Sequence, residues 1–363
     1  MSVNPNEIIS EYFHRMNAGH EPTDIVGGVV DAIMDTTNDI NHREFHLASV
    51  LYSNPSPSIE FIIALVRAVL RSDQCFEKDK IALSARNNKN VVSVAGSGKK
   101  GIKTINISTP SAIVAASLGA QVVKHSSRAT SSLSGSSDFF TEVGGQILDT
   151  AETVRVFDKT DLGLFSIEGT VPKFDALYGG RVLAPTALSY ALPAAISPVS
   201  TDALVYGFSM PRVKDSLRVL HGLGFRNTMV INSTDDEVRY IDEAGLFKKN
   251  SVAYSPKNEV SCDILITDPF DVLALDMRRS IDWIMQKSDR KENVHAGVAV
   301  LRGRGNSVQS EVVALNASLI LLQAGLCEDI REGFEQALRE ISSGRPYEKL
   351  KQVVSASGGN LNI

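Results

Sequence analysis

The chain has 363 residues, 43% of them hydrophobic, and a formal net charge of −5, so it is long enough to bury a sizeable core and carries no globally basic surface of the kind that attracts nucleic acid. Cys75, Cys262 and Cys327 stand far apart with no C-x-x-C spacing, so neither a disulfide framework nor a zinc site is expected and a reducing compartment fits best.

The opening segment MSVNPNEIISEYF has neither a basic n-region nor an apolar h-region, and no signal peptide is expected. Over residues 5–85 apolar side chains recur at helical spacing, as in Ile8, Ile9, Tyr12 and Phe13 and again in Ile25, Val29, Val30, Ile33 and Met34. Turn chemistry at 17–19 (NAG) and 54–57 (NPSP) breaks this stretch into short helices. A small all-helical domain is expected over 1–85, its apolar faces serving as core first and subunit interface second, with the segment around 170–185 packing against it. The most apolar run, 59–70, is too short to span a bilayer and carries Glu60 and Arg67, so a cytoplasmic protein with no membrane partner is expected.

From residue 91 onward short β-branched runs alternate with helical stretches. Strands are expected at 91–95, 122–123, 228–231 and 263–266, and helices at 211–223, 269–286 and 311–324. Such alternation implies an α/β domain over 86–363 with a central, mostly parallel sheet flanked by helices. The charged run SDRKEN at 288–293 reads as a solvated loop.

The chemistry concentrates in 91–138. A strand ends in the loop GSGKKG (96–101), and glycines there allow backbone N–H groups to approach a ligand. The run TINIST (104–109) follows, then Pro110 in the first turn of an Ala/Val-rich helix, which sets hydroxyls and amide donors at a positive helix terminus. No acidic residue occurs from Gly96 to Ser137, whereas Lys99, Lys100, Lys103, Lys124 and Arg128 do, so an electropositive pocket free of competing carboxylates is expected. A dinucleotide fold would want an acid about 20 residues after its glycines, but the first is Asp138; a Walker loop is spoiled by Ile102 between Gly101 and Lys103.

In sequence these blocks resemble the anthranilate phosphoribosyltransferase family: the glycine loop, then NIST at 106–109, KHSSR at 124–128 and SLSGSSD at 132–138. Further matches are ALNA at 314–317, QAG at 323–325, EG at 332–333 and ISSG at 341–344, so the resemblance spans most of the chain. It implies a dimeric phosphoribosyltransferase that uses phosphoribosyl pyrophosphate (PRPP) and Mg²⁺, with the dimer contact in the N-terminal helices. It further implies that Gly96, Ser97, Gly98, Lys99, Lys100, Gly101, Thr104, Asn106, Ser108, Thr109, Lys124 and Ser136 hold PRPP. His125, Ser127, Arg128, Phe174 and Arg181 would face the acceptor, with His125 also a candidate general base. The family's metal-binding Asp-Glu pair is matched to Asp236 and Glu237, joined by Ser108, with Asp242 and Glu243 as the fallback.

Departures mark the acceptor side. The family's Gly-Gly-Asp is here Gly98-Lys99-Lys100, its K-H-G-N-R is KHSSR so that Ser127 replaces Asn, and its H-P-A-M corresponds to VPKF at 171–174. An aromatic or nitrogenous acceptor other than anthranilate is therefore expected. A nucleoside phosphorylase and a non-catalytic nucleic-acid-binding relative are the rival expectations, the latter disfavoured by the acidic balance.

Overall fold

A computed structural model describes residues 5–86, 89–129, 132–246, 249–255 and 279–363. Four helices come first: α1 (Pro5–Asn17), α2 (Val26–Met34), α3 (Ile40–Tyr52) and α4 (Ile59–Ser72). Side chains start two of them, Asp39 accepting from the Asn41 and His42 N–H groups and Ser58 from that of Phe61.

A seven-stranded sheet forms the centre. β1 (Val91–Gly96), β2 (Gln121–Ser126), β3 (Leu162–Ser166), β4 (Ala203–Gly207) and β5 (Thr228–Thr234) run parallel in the order β3-β2-β1-β4-β5. β6 (Tyr240–Ile241) and β7 (Lys249–Ser255) pair antiparallel with β5. All but the last residue of β1 is buried, as a parallel strand covered on both faces requires, which is why it reads as a continuous apolar run.

One face is covered by α5 (Ser108–Ser117), α6 (Ser136–Glu142), α7 (Thr150–Thr160) and the C-terminal helices. The other carries α8 (Pro172–Tyr178), α9 (Val213–Gly222) and the N-terminal helices. Of the C-terminal helices, α10 (Arg290–Leu301), α11 (Ser307–Ala324), α12 (Ile330–Ser343) and α13 (Arg345–Ala356), the second is buried on nearly every side. Helices α1–α4 do not close a core of their own. Phe61 and Leu65 share one apolar cluster with Phe174 and Leu177 of α8, Leu217 and Leu220 of α9, and Leu204, Tyr206 and Val230 of the sheet.

The expected strand at 263–266 and the expected helix at 269–286 fall wholly or mostly outside the described residues; the described end of the latter holds a single 3₁₀ turn, Ile281–Ile284. The charged run at 288–293 is not a loop. Asp289 accepts from the Glu292 N–H at 2.9 Å and starts α10, because a capping carboxylate beside a second acid suits a helix N-terminus. Among the described residues no helix is long and apolar enough to cross a membrane.

One topological detail positions the site. β5 runs past β4, and its last residues, Ser233 and Thr234, pair with Ile241 and Tyr240 of β6. The chain leaving β6 then crosses the carboxyl ends of β4 and β1. A Cβ on Gly207 would sit 1.9 Å from the Asp242 carbonyl oxygen, and one on Gly96 would sit 2.5 Å from Asp242 Oδ2. At Gly207, where the near atom is backbone, only glycine permits the approach.

Candidate active site

A cleft opens at the carboxyl ends of β1 and β2, beside the point where the connection leaving β1 through α5 and that leaving its neighbour β4 through α9 depart to opposite faces, the usual ligand crevice of an open α/β sheet. It gathers Gly96, Gly98, Lys99, Lys100, Thr104, Asn106, Ser108, Lys124, His125, Ser127, Arg128 and Ser136 from the expected set, and adds Lys103, Ser132, Ser134, Asp242 and Glu243. Ser97, Gly101, Thr109, Phe174, Arg181, Asp236 and Glu237 do not line it.

The glycine loop differs from expectation in what its amides do. The Ser97 N–H donates to the Gly207 carbonyl (2.8 Å), the Gly98 N–H to Asp242 Oδ2 (2.9 Å) and the Gly101 N–H to the Tyr240 carbonyl (2.9 Å). These donors are spent on β4 and on the segment after β5, so the glycines serve chain-to-chain approach before any ligand. Gly98 (φ +61) and Lys99 (φ +54) are both left-handed, a conformation that costs a lysine roughly 1 kcal/mol. That turn aims the Lys99 ammonium at Tyr178, against its hydroxyl and 4.0 Å from the ring centroid. Burial pulls Lys99 down to about 7. The ring face attracts a cation and opposes that pull.

Lys100 turns the other way. Its Nζ lies 2.7 Å from both carboxylate oxygens of Glu243, 3.4 Å from Asp242 Oδ1 and 3.1 Å from Thr104 Oγ1. Burial disfavours all three charges. For Lys100 the Glu243 and Asp242 carboxylates outweigh it and raise its pKa, and for Asp242 the Lys100 ammonium and the Gly98 N–H outweigh it and lower the carboxyl. Glu243 is pushed up to about 7 by burial, with Lys100 pulling the other way and Asp242 adding to the rise. Tertiary structure thus brings the fallback pair, Asp242 and Glu243, into a pocket whose lining from Gly96 to Ser136 carries no acid.

The anion-facing side is built from β2 and α5. Lys124 is 4% exposed at the end of β2 and donates to the His125 carbonyl at 2.8 Å; burial lowers it to about 8, with Asp242 and Glu243 opposing. Asn106 Oδ1 accepts from the Thr109 N–H (3.1 Å) and holds the first turn of α5, which presents Ser108 to the cleft. Thr109 is buried at that turn. Asp138 folds the serine segment into place by accepting from the N–H groups of Gly135 (2.8 Å) and Ala129 (2.6 Å), and Ser136 Oγ accepts from the Ser127 N–H (3.3 Å).

On the acceptor side three expectations are corrected. Phe174 is 1% exposed and stacks on Tyr178 at 4.9 Å, so it belongs to the core. Arg181 pairs with Glu44 of α3 at 2.6 Å and ties the segment to the N-terminal helices. His125 is 4% exposed; its Nδ1 faces the Pro193 carbonyl (3.0 Å), which only accepts, so Nδ1 carries the proton and Nε2 accepts from Ser93 Oγ (2.7 Å). Burial, then Lys124, holds it down to about 3. A neutral imidazole with both nitrogens engaged is a structural group, not a general base. Arg128 does reach the cleft, flanked by Glu168 (3.8 Å) and Asp175 (3.5 Å), two carboxylates that lie outside the motif blocks and went unmarked in the sequence.

Asp236 and Glu237 lie in the exposed turn between β5 and β6. Asp236 Oδ1 accepts from the Val238 (2.9 Å) and Arg239 (2.7 Å) N–H groups and Oδ2 pairs with Arg239 Nε (2.6 Å), contacts that hold its carboxyl well below the usual range. Glu237 is 3.5 Å from Lys249. The fallback pair, Asp242 and Glu243, is the one at the cleft. Tyr178, the partner of Lys99, gave no sequence signal, since it lies far along the chain in an amphipathic helix.

Comparison with known proteins shows the family and the fold. A model of the glycosyl transferase family, a/b domain, matches residues 88–347. The anthranilate phosphoribosyltransferase of Shewanella loihica is 30% identical over 311 residues, 83% of either chain. That of Shewanella baltica is 30% identical over 296 residues, 81% of this chain and 79% of the relative. Two solved structures share the fold. Anthranilate phosphoribosyltransferase from Thermus thermophilus has a TM-score of 0.75 at 21% identity and covers 95% of this chain and 98% of its own. The Saccharomyces cerevisiae enzyme in complex with PRPP and Mg has a TM-score of 0.79 at 17% identity, covering 96% and 98%.

Proposed function

We propose, from the premise that this chain belongs to the glycosyl transferase family and within it to the anthranilate phosphoribosyltransferases, that it binds PRPP in the β1–β2 cleft and transfers phosphoribosyl to a nitrogenous acceptor other than anthranilate. One observation carries this reading. Lys124 of β2 is brought beside Lys103, Asn106 and Ser108 at the positive end of α5, the arrangement a pyrophosphate needs.

Breaking the C1–pyrophosphate bond passes through an oxocarbenium-like state. The protein's work is to neutralise the departing pyrophosphate and to hold the acceptor in line. Lys124 and Lys103 would supply positive charge, and Ser108, at the start of α5, would supply hydrogen bonds. No nucleophile is needed, and His125 has no proton-accepting nitrogen to offer the substrate. The relatives' Mg²⁺ does not fit this chain's carboxylates. Asp236 is saturated by its own turn, and Asp242 with Glu243 already encloses Lys100.

Arg128 is already engaged by Glu168 and Asp175, and Arg181 by Glu44, which supports an acceptor without a carboxylate. A homodimer through α1–α4 and a cytoplasmic location go with the same reading, and exposed Ile40 and Phe45 on α3 support the former. The test is thermal unfolding with millimolar PRPP at low salt, where a ligand bound only by the folded state raises the midpoint. An unchanged midpoint would remove the proposal. Mixing enzyme, PRPP and anthranilate and following anthranilate fluorescence should show little turnover; a rate of about 1 per second or faster would refute the acceptor assignment.

A further inference from the structure

We infer that Lys100 occupies the seat that relatives give to a divalent cation, so that this chain binds its anionic sugar phosphate with no metal held on Asp242 and Glu243. The identity of that anion is taken from the function proposed above; the seat of the lysine is not.

Three observations carry the inference. First, the carboxylate pair is buried: Asp242 is 8% and Glu243 4% exposed, with Thr104 beside them at 5%. Two adjacent buried carboxylates are costly unless a cation or a proton offsets their charge. Second, the cation is already there. Lys100 Nζ sits 2.7 Å from both Glu243 oxygens, and its remaining reach covers Asp242 Oδ1 at 3.4 Å and Thr104 Oγ1 at 3.1 Å. Asp242 Oδ2, the oxygen left over, accepts from the Gly98 N–H at 2.9 Å. Mg²⁺ demands oxygens at about 2.0–2.1 Å in near-octahedral array, so an ion on these oxygens would overlap the ammonium or stand against its charge.

Third, the backbone delivers the lysine there by construction. Lys100 stands where the resembled family has the Asp of Gly-Gly-Asp, and Lys99, at the second glycine of that triplet, keeps a left-handed backbone at φ +54. The sign of the third side chain of that triplet is therefore reversed. A lysine ammonium is a compact point charge with three donors, which suits it to bridge two carboxylates in a way a planar guanidinium would not. Glu243 and Asp242 are then groups that position Lys100, and through it the glycine loop, beside the anion site formed by Ser108 and Lys124.

The experiment has two arms on the full chain. In the first, EDTA-stripped protein without any sugar phosphate is titrated with Mn²⁺ and the bound ion is read by electron paramagnetic resonance. Wild type should hold no stoichiometric Mn²⁺ at this pair. Lys100→Ala should acquire it, and adding Glu243→Gln to Lys100→Ala should abolish it. Lys100→Gln, which keeps a hydrogen-bond donor, serves if the alanine variant does not fold. Stoichiometric Mn²⁺ in wild type that Glu243→Gln removes would overturn the inference, as would a folded Lys100 variant that gains none. In the second arm PRPP binding is measured by calorimetry in EDTA and in magnesium. Wild-type affinities should agree within about twofold, whereas those of the Lys100 variant should differ by about tenfold or more in favour of magnesium. Wild-type binding that needs magnesium by tenfold or more would also overturn the inference and leave the phosphoribosyl assignment standing. Absence of PRPP binding in both buffers would instead remove that assignment, while the manganese arm still decides where Lys100 sits.

Discussion

His125 offers the sharpest separation between a catalytic and a structural histidine. Its imidazole bridges β1 and the segment before β4, accepting from Ser93 Oγ at 2.7 Å and donating to the Pro193 carbonyl at 3.0 Å. Burial, then Lys124, lowers its pKa from 6.5 in the unfolded chain to about 3 in the folded one. The sign follows directly. Above pH 6.5 both states are neutral and the contribution is fully present; as pH falls, the unfolded chain takes up a proton that the folded chain refuses, and stability drains away until about pH 3. Between neutrality and about pH 5 the loss amounts to about 2 kcal/mol, since each pH unit is worth about 1.4 kcal/mol once one state alone binds the proton. Replacing His125 by Asn removes the titration along with the Ser93 bond. At neutral pH the variant should be less stable by about 1–3 kcal/mol. That deficit should shrink by about 2 kcal/mol on going to about pH 5. Urea unfolding of both proteins across this range measures it. Parallel stability curves, or an NMR titration in which the His125 ring protonates near neutrality, would refute the reasoning. A general base would instead lose turnover on substitution with its unfolding midpoint intact.

Gly207→Ala would place a Cβ 1.9 Å from the Asp242 carbonyl oxygen, so the chain leaving β6 must lift off the sheet; a loss of about 1–3 kcal/mol in urea unfolding and of the PRPP-induced midpoint shift is expected, and a wild-type shift would contradict the placement of Asp242. Lys99→Met should change the pH profile in the alkaline range. The folded pKa of Lys99, about 7, lies below its ordinary 10.5, so its contribution is lost as pH falls from 10.5 toward 7. The variant should therefore gain at least about 1 kcal/mol relative to wild type on going from about pH 10 to about pH 7. No relative gain would mean that the Tyr178 ring fully compensates the burial.

The local sequence determined a good deal. β-branched runs set the buried strands of the sheet, helical spacing set α1–α4, and the order of the NIST, KHSSR and SLSGSSD blocks was sufficient to mark the cleft and its family, because each block is a short piece whose backbone role is fixed by neighbours in sequence. What the sequence left open were the long-range partners. No acid occurs between Gly96 and Ser137, yet the cleft holds Asp242 and Glu243, because an extension of β5 beyond β4 and the short return strand β6 bring residues from 140 positions away over Gly96 and Gly207. The same crossing decided between two Asp-Glu pairs only six residues apart, which composition cannot distinguish. Asp236 spends its oxygens on the N–H groups of its own turn, a local and solvent-exposed solution, whereas Asp242 and Glu243 are carried into the interior and are offset by a cation from elsewhere in the chain. Which of five cations supplies it depends on the left-handed turn at Gly98 and Lys99, which points adjacent lysines to opposite walls, one to Tyr178 and one to the carboxylates. Charges attract over distances set by folding and not by spacing along the chain, so only the tertiary structure could pair them.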